Sequence, residues 1–146
     1  MPGIVYPVRL TSIATYLLQS HGRGRSLTAT EVGILRDTAD LIVEEIQDQW
    51  PVDTGTSRDA WEYDLHVHYP DIGFDLVNEM DYAPFVSRAG DGGGPLFETL
   101  VPEVVMRHAD ALRVELMAAI NAAEVKRRQQ EERRGRGAPA TLWGRR

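Results

Sequence analysis

The stretch that decides the fold lies at residues 61–78 and reads WEYDLHVHYPDIGFDLVN. Over residues 61–68 apolar and polar side chains alternate, which is the period of a half-buried β-strand. A turn is expected at residues 69–73, and a second strand over residues 74–78. The simplest arrangement of the two strands is an antiparallel hairpin.

An amphipathic helix is predicted before this hairpin. It begins with a capping box at residues 28–31, in which the Thr28 hydroxyl and the Glu31 carboxylate satisfy free backbone donors, and it ends at Pro51. Its apolar residues recur at helical spacing on one face: Val32, Leu35, Ala39, Ile42, Val43 and Ile46.

A longer helix is predicted after the hairpin, from Pro95 or Pro102 to about Arg134. The stripe expected to be buried comprises Val101, Val105, Ala109, Leu112, Leu116, Ile120 and Ala123. Such a helix is roughly 50 Å long, which is more than a small body can cover, so we expect its far end to project or to dock on another subunit. Helix, hairpin and helix together predict an α+β fold, with a small antiparallel sheet covered by two long helices.

Composition divides the chain into three parts. Residues 1–27 contain prolines and a glycine-rich linker and are expected to form an extended arm, within which Ile4, Val5, Val8 and Leu10 are candidates for a short strand. Residues 28–125 are expected to form the core, and residues 126–146 to form a basic tail. Residues 1–125 hold eight arginines and twenty carboxylates, whereas residues 126–146 hold eight cations and two carboxylates. The tail is therefore expected to contact an anionic surface, either nucleic acid or the acidic body of a neighbour.

Several possible chemical sites have weak support. The chain has no cysteine, which excludes disulfides and thiolate chemistry. His66 and His68 share a strand face and are candidates for a metal site, but no third histidine is in register. No apolar run approaches the roughly 20 residues of a membrane span. We expect neither an enzymatic activity, nor a cofactor, nor a membrane role.

Other groupings fail on pattern or on specificity. The glycine-rich residues 90–94 lack the Lys of a phosphate-binding loop. The hydroxyls of Thr54, Thr56 and Ser57 lie outside any nucleophile-elbow pattern. Asp75, Glu79 and Asp81 are candidate ligands for a divalent cation such as Mg²⁺. Carboxylates are frequent throughout residues 1–125, so this grouping is not specific evidence for a metal site.

Two blocks of the sequence resemble a known family. Residues 50–60, WPVDTGTSRDA, resemble the signature P-V-D-T-G-x-L-R-x-S of the tail-component, or neck-protein, family of long-tailed bacteriophages. Residues 78–86, NEMDYAPFV, resemble that family's N-x-x-x-Y-A-x-Y-V-E segment, and Pro95-Leu96-Phe97 is a weaker third match. Ser57 stands where Leu is common in the family, and Ser87 stands in place of the Glu.

The resemblance implies a structural protein of the virion, located at the head–tail junction and made in the host cytoplasm. It implies a homo-oligomeric ring, a hexamer, that joins the head connector to the tail tube and lets viral DNA pass through its lumen without sequence-specific binding. An acidic body suits such a channel. A tail terminator ring is an alternative within the same class, and a nucleic-acid-binding module acting through residues 126–146 is an alternative of another class.

The motif residues also have a physical interpretation. Pro51 ends a helix, and Asp53 and Thr54 are expected to cap the following turn. Gly55 is expected to reverse the chain with a positive φ, and Arg58 completes the motif. The knuckle Tyr82, Ala83, Pro84 and Phe85 is expected to seal a sheet edge. The candidates for contact with a neighbouring subunit or DNA are Arg127, Arg128, Arg133, Arg134 and Trp143.

Overall fold

A computed structural model describes residues 3–21, 24–51, 55–80, 83–86 and 95–143, and the side chains of these residues except at positions 21, 55, 56 and 136–143. In chain order the elements are β1 (Ile4–Arg9), α1 (Thr11–His21), α2 (Ala29–Gln49), α3 (Gly55–Asp59), β2 (Trp61–His68), β3 (Asp71–Asn78), a 3₁₀ turn (Ala83–Phe85) and α4 (Phe97–Trp143). The fold is α+β, as the sequence predicts.

The sheet is antiparallel and has the strand order β1-β3-β2. The predicted hairpin is confirmed as β2 and β3, with Trp61 opposite Asn78 and His68 opposite Asp71. The turn between them is shorter than expected, because β3 already begins at Asp71. Helices α1 and α2 contact the sheet, and α4 packs against both of these helices.

Residues 3–21 form β1 and α1 instead of the irregular arm expected from the sequence, and β1 matches the candidate strand within that arm. β1 pairs along its whole length with β3, from Ile4 opposite Asn78 to Arg9 opposite Gly73. Leu10, Ile13 and Leu17 are buried in the core through α1. This segment is ordered by apolar burial, since its large side chains recur at the helical spacing that places them on one face.

The close approach of β1 to β3 requires a glycine at position 73. Gly73 has φ +150°, and a Cβ built there would lie 2.0 Å from the carbonyl oxygen of Val8. Only glycine tolerates both the conformation and the proximity of the neighbouring backbone.

The capping box of α2 is confirmed. The Thr28 side chain accepts a hydrogen bond from the Glu31 amide, and the Glu31 side chain accepts one from the Thr28 amide. Leu35, Ala39, Ile42 and Ile46 of the predicted stripe are buried, and so are Val101, Leu112, Leu116 and Ile120 of the later helix.

Helix α4 begins at Phe97, close to the first of the two predicted starts, and continues to Trp143, beyond the end predicted near Arg134. Its side chains at 128–135 are all exposed. Residues 128–135 therefore project from the body instead of packing into the core. Within the described ranges no helix combines the length and the apolar character needed to cross a membrane.

Candidate interaction site

The two motif blocks meet at a buried hydrogen-bonded cluster. Ser57 is fully buried in α3, and its hydroxyl accepts a hydrogen bond from Trp50 Nε1 at 2.8 Å. Asn78, at the end of β3, donates from Nδ2 to the Ser57 carbonyl at 2.6 Å. The Asn78 Oδ1 accepts from the Met80 amide at 3.1 Å. Both blocks are thus connected through the side chain of one buried asparagine.

Aromatic packing supports the same cluster. The rings of Trp50 and Trp61 are in edge-to-face contact, with centroids 5.2 Å apart and an interplanar angle of 78°. Both tryptophans are buried. Edge-to-face pairs of this kind add about 0.5–1.5 kcal/mol to what the burial of the rings contributes. The end of α2 is therefore fixed against the start of β2.

The predicted motif residues fall into three groups. Pro51 follows the end of α2 and is half-buried, and Arg58 lies in α3, where its Nε is 3.3 Å from Asp59 Oδ1. Ala83 is buried and Pro84 is half-buried in the 3₁₀ turn. Asp53, Thr54 and Tyr82 lie outside the described residues.

The expected left-handed conformation at Gly55 is wrong. Gly55 is the first residue of α3, and helical backbone has negative φ. Position 55 instead starts a short helix, in which the buried Ser57 is hydrogen-bonded to Trp50 and Asn78.

Phe85 does not seal a sheet edge as the sequence suggested. Its side chain is 80% exposed, whereas Ala83 and Val86 on either side of the turn are buried. The Val86 carbonyl also accepts a hydrogen bond from the Leu96 amide at 2.7 Å, which fixes the turn against the start of α4. A large aromatic ring held in solvent by a buried support is typical of an interaction anchor.

A largely buried ionic network connects α4 to the start of α2. Arg25 donates to both carboxylate oxygens of the fully buried Glu31, at 2.8 and 3.1 Å. Glu124 is also buried, with its Oε1 3.9 Å from Arg25 Nε. Arg127 pairs with Glu124 Oε2 at 2.9 Å and with Glu131 at 2.7 Å. Arg127 was a candidate for intermolecular contact, but its guanidinium is already occupied within its own helix.

The hydrogen bond from Arg127 to Glu124 is the main reason that the pKa of Arg127 is raised. Since an arginine is charged at any physiological pH, Arg127 carries a full positive charge in this network. Arg128, Arg133 and Arg134 are exposed and form no ion pair with the described part of the chain. Trp143 is the last residue of α4, and its side chain lies outside the described set.

The outer sheet face, on the side away from the helices, holds the two candidate metal-binding histidines. His66 Nε2 lies 3.0 Å from Asp75 Oδ2, and His68 Nδ1 lies 2.6 Å from the Ser26 hydroxyl. Their partners differ, and the described residues contain no group of three or more possible metal ligands. Asp81, a member of the other acidic cluster, lies outside the described residues.

Asp75 connects two neighbouring side chains of this outer face, since it pairs with both Arg9 and His66. Partial burial alone raises the pKa of a carboxyl group, but hydrogen bonds from His66 and Arg9 outweigh it and lower the pKa of Asp75 below its usual value. On the inner side, burial and a 2.7 Å hydrogen bond to Asp40 raise the pKa of Tyr63. These contacts fix strands to each other and to α2, so they have a structural role.

The structural roles of three residues were not predicted from the sequence. Ser57 and Asn78 belong to the matched blocks, but their burial and mutual contact arise from tertiary packing. Glu124 was not singled out, although its spacing of three residues from Arg127 is a usable signal for an ion pair on one helix.

Comparison with known proteins adds no family assignment. No protein-family model matches the chain, and no curated protein or solved structure is significantly similar to it.

Proposed function

We propose that this protein is a structural component of the head–tail junction of a long-tailed bacteriophage. Six copies form a ring that joins the head connector to the tail tube, and viral DNA passes through the lumen. The observation that carries the proposal is the junction of the two family-like blocks at Ser57 and Asn78. The second of these blocks also presents the exposed ring of Phe85. Residues that resemble a family signature thus form one structural unit.

The chemistry of this unit supports a structural role over a catalytic one. The Ser57 hydroxyl is buried and accepts from an indole N–H, which does not activate it as a nucleophile. The buried polar side chains of the cluster serve as connections between α2, α3 and β3. The exposed ring of Phe85 and the projecting end of α4 provide contact surfaces for neighbouring proteins.

Inactivation of the gene tests the proposal. Particles are produced from the encoding viral genome with a stop codon early in this reading frame and examined by negative-stain electron microscopy. We expect DNA-filled heads and separate tails, and expression of the protein in trans should restore joining. Joined, infectious particles without the protein would contradict the proposal. Separated tails of irregular length would instead favour the tail terminator, since a missing cap leaves tube growth unchecked.

A nucleic-acid-binding module is the second candidate, favoured by the exposed Arg128, Arg133 and Arg134. Its affinity for duplex DNA should fall steeply with salt, because the binding of phosphates releases counterions. Deletion of residues 126–146 should abolish the binding of duplex DNA. Salt-independent or undetectable binding would exclude this candidate.

A further inference from the structure

Residues 128–135 of α4, the distal part of the helix as far as its side chains are described, are all exposed. Arg107 and His108 both contact Glu45 near the end of α2, whereas Ala123 and Lys126 lie beside Thr28 and Thr30 at its start. The two helices are therefore antiparallel, and α4 continues past the point where α2 begins. Residues 126–143 would extend about 27 Å at 1.5 Å per residue.

One face of this projecting segment is basic. Lys126, Gln130, Arg133 and Arg134 are spaced by four, seven and eight residues, which places them on the same side of the helix. We call these four residues the basic face. All four are exposed, and no ion pair to another described residue involves them. Arg128 lies on roughly the opposite side, together with Glu131 and Glu132.

The outward side of α2 has the complementary character. Asp37, Leu41, Glu44 and Asp48 follow the same helical spacing, and we call them the acidic stripe. Leu41 is 53% exposed, and the three carboxylates have no ion-pair partner among the described residues. The stripe spans about 16 Å and the basic face about 12 Å, so the basic face fits within the length of the stripe and is opposite to it in charge.

We infer that the basic face of one copy docks on the acidic stripe of α2 in a second copy. The occupant is another molecule, since α4 leads away from the α2 of its own chain. Arginine forks pair with carboxylates in a bidentate manner, and the stems of Gln130 and the arginines can cover Leu41. DNA suits the basic face less well, because the body behind it is strongly acidic and repels phosphates.

This inference rests on the proposed ring for its biological setting, but its test needs only purified protein. The chain has no cysteine, so single cysteines can be introduced at Leu41 and at Gln130 in separate full-length variants. Under mild oxidation, we expect the Leu41→Cys and Gln130→Cys proteins to form a mixed disulfide at least tenfold faster than Ser12→Cys with Gln130→Cys. Ser12 is an exposed position on α1 and belongs to neither the basic face nor the acidic stripe.

Charge reversal then tests the pairing. Arg133→Glu in the Gln130→Cys protein should slow cross-linking at least fivefold, whereas Arg128→Glu, the same change on the other side of α4, should have little effect. When the Leu41→Cys protein also carries Glu44→Arg, its cross-linking to the Gln130→Cys protein with Arg133→Glu should return to the original rate, because opposite charges again face each other. Equal rates for all pairs, or no rescue by the swapped pair, would overturn the inference.

DNA is the alternative outcome, measured with a fluorescent duplex of about 30 base pairs. Loss of duplex binding on Arg133→Glu, with an unchanged cross-linking rate, would assign the basic face to nucleic acid and overturn the inference. A result that rejects this interface is distinguishable from a result that rejects the proposed function. Separated heads and tails without charge-dependent cross-linking would reject this interface alone, and joined particles with charge-dependent cross-linking would reject only the junction role.

Discussion

Replacement of Asn78 by alanine tests the connection between the two motif blocks. Asn78 is fully buried, and its side chain satisfies the Ser57 carbonyl and the Met80 amide. In Asn78→Ala the buried Ser57 carbonyl loses this hydrogen bond at a cost of about 1–3 kcal/mol, and the half-buried Met80 amide loses a bond of about 0.5–1.5 kcal/mol. We therefore expect the free energy of unfolding to fall by about 1.5–4.5 kcal/mol.

Equilibrium unfolding in urea measures this change. Tryptophan fluorescence reports on Trp50 and Trp61 beside the cluster, and far-ultraviolet circular dichroism reports on the helices. With a slope of about 2 kcal/mol/M, the midpoint should fall by about 1–2 M. The slope itself should be unchanged if the variant still unfolds as one unit.

The matched control is Asn121→Ala on α4, since Asn121 is exposed. An exposed substitution of the same chemistry should alter the free energy of unfolding by less than about 0.5 kcal/mol. A loss below about 0.5 kcal/mol for Asn78→Ala as well would refute the view that this asparagine fixes the two blocks together.

Three further substitutions test separate parts of the structure. Asp75→Asn should lower the free energy of unfolding by about 1 kcal/mol at neutral pH. Because folding lowers the pKa of Asp75 from 3.8, the stabilisation by its carboxylate is complete above pH 3.8 and is lost as the pH falls below that value. Urea midpoints of variant and wild type that differ equally at pH 2 and pH 7 would contradict this pH dependence. Phe85→Ser should leave the free energy of unfolding within about 0.5 kcal/mol of wild type but weaken assembly in a particle complementation assay, and full complementation would show that the exposed ring is dispensable. Gly73→Ala should lower the unfolding free energy by more than about 2 kcal/mol, since its Cβ meets the Val8 carbonyl, and a near-neutral change by thermal or urea unfolding would contradict the close strand approach.

Local patterns predicted the elements that carry a strong local signal. The capping box at Thr28 and Glu31 fixed the start of α2, and strict alternation over residues 61–68 predicted β2. Helix α1 was missed although Leu10, Ile13, Ala14 and Leu17 follow helical spacing. The prolines before it and the glycines after it favoured an irregular segment.

Non-local contacts could not be predicted in the same way. The pairing of β1 with β3 joins residues about seventy positions apart, and nothing in either strand alone specifies that register. Ser57 has the local character of a turn residue, and its burial depends on Trp50 and Asn78. Arg127 has the appearance of a free cation until its spacing to Glu124 and Glu131 is considered.

Localisation of the chain in purified particles tests the proposed junction role most directly. Mass spectrometry of intact virions establishes whether the protein is present, and cryo-electron microscopy of the neck region establishes where it lies. The expected result is a ring between the head connector and the tail tube, into which the three-stranded sheet and the long α4 of each copy fit. Absence of the protein from purified virions, or its location elsewhere in the particle, would contradict that role.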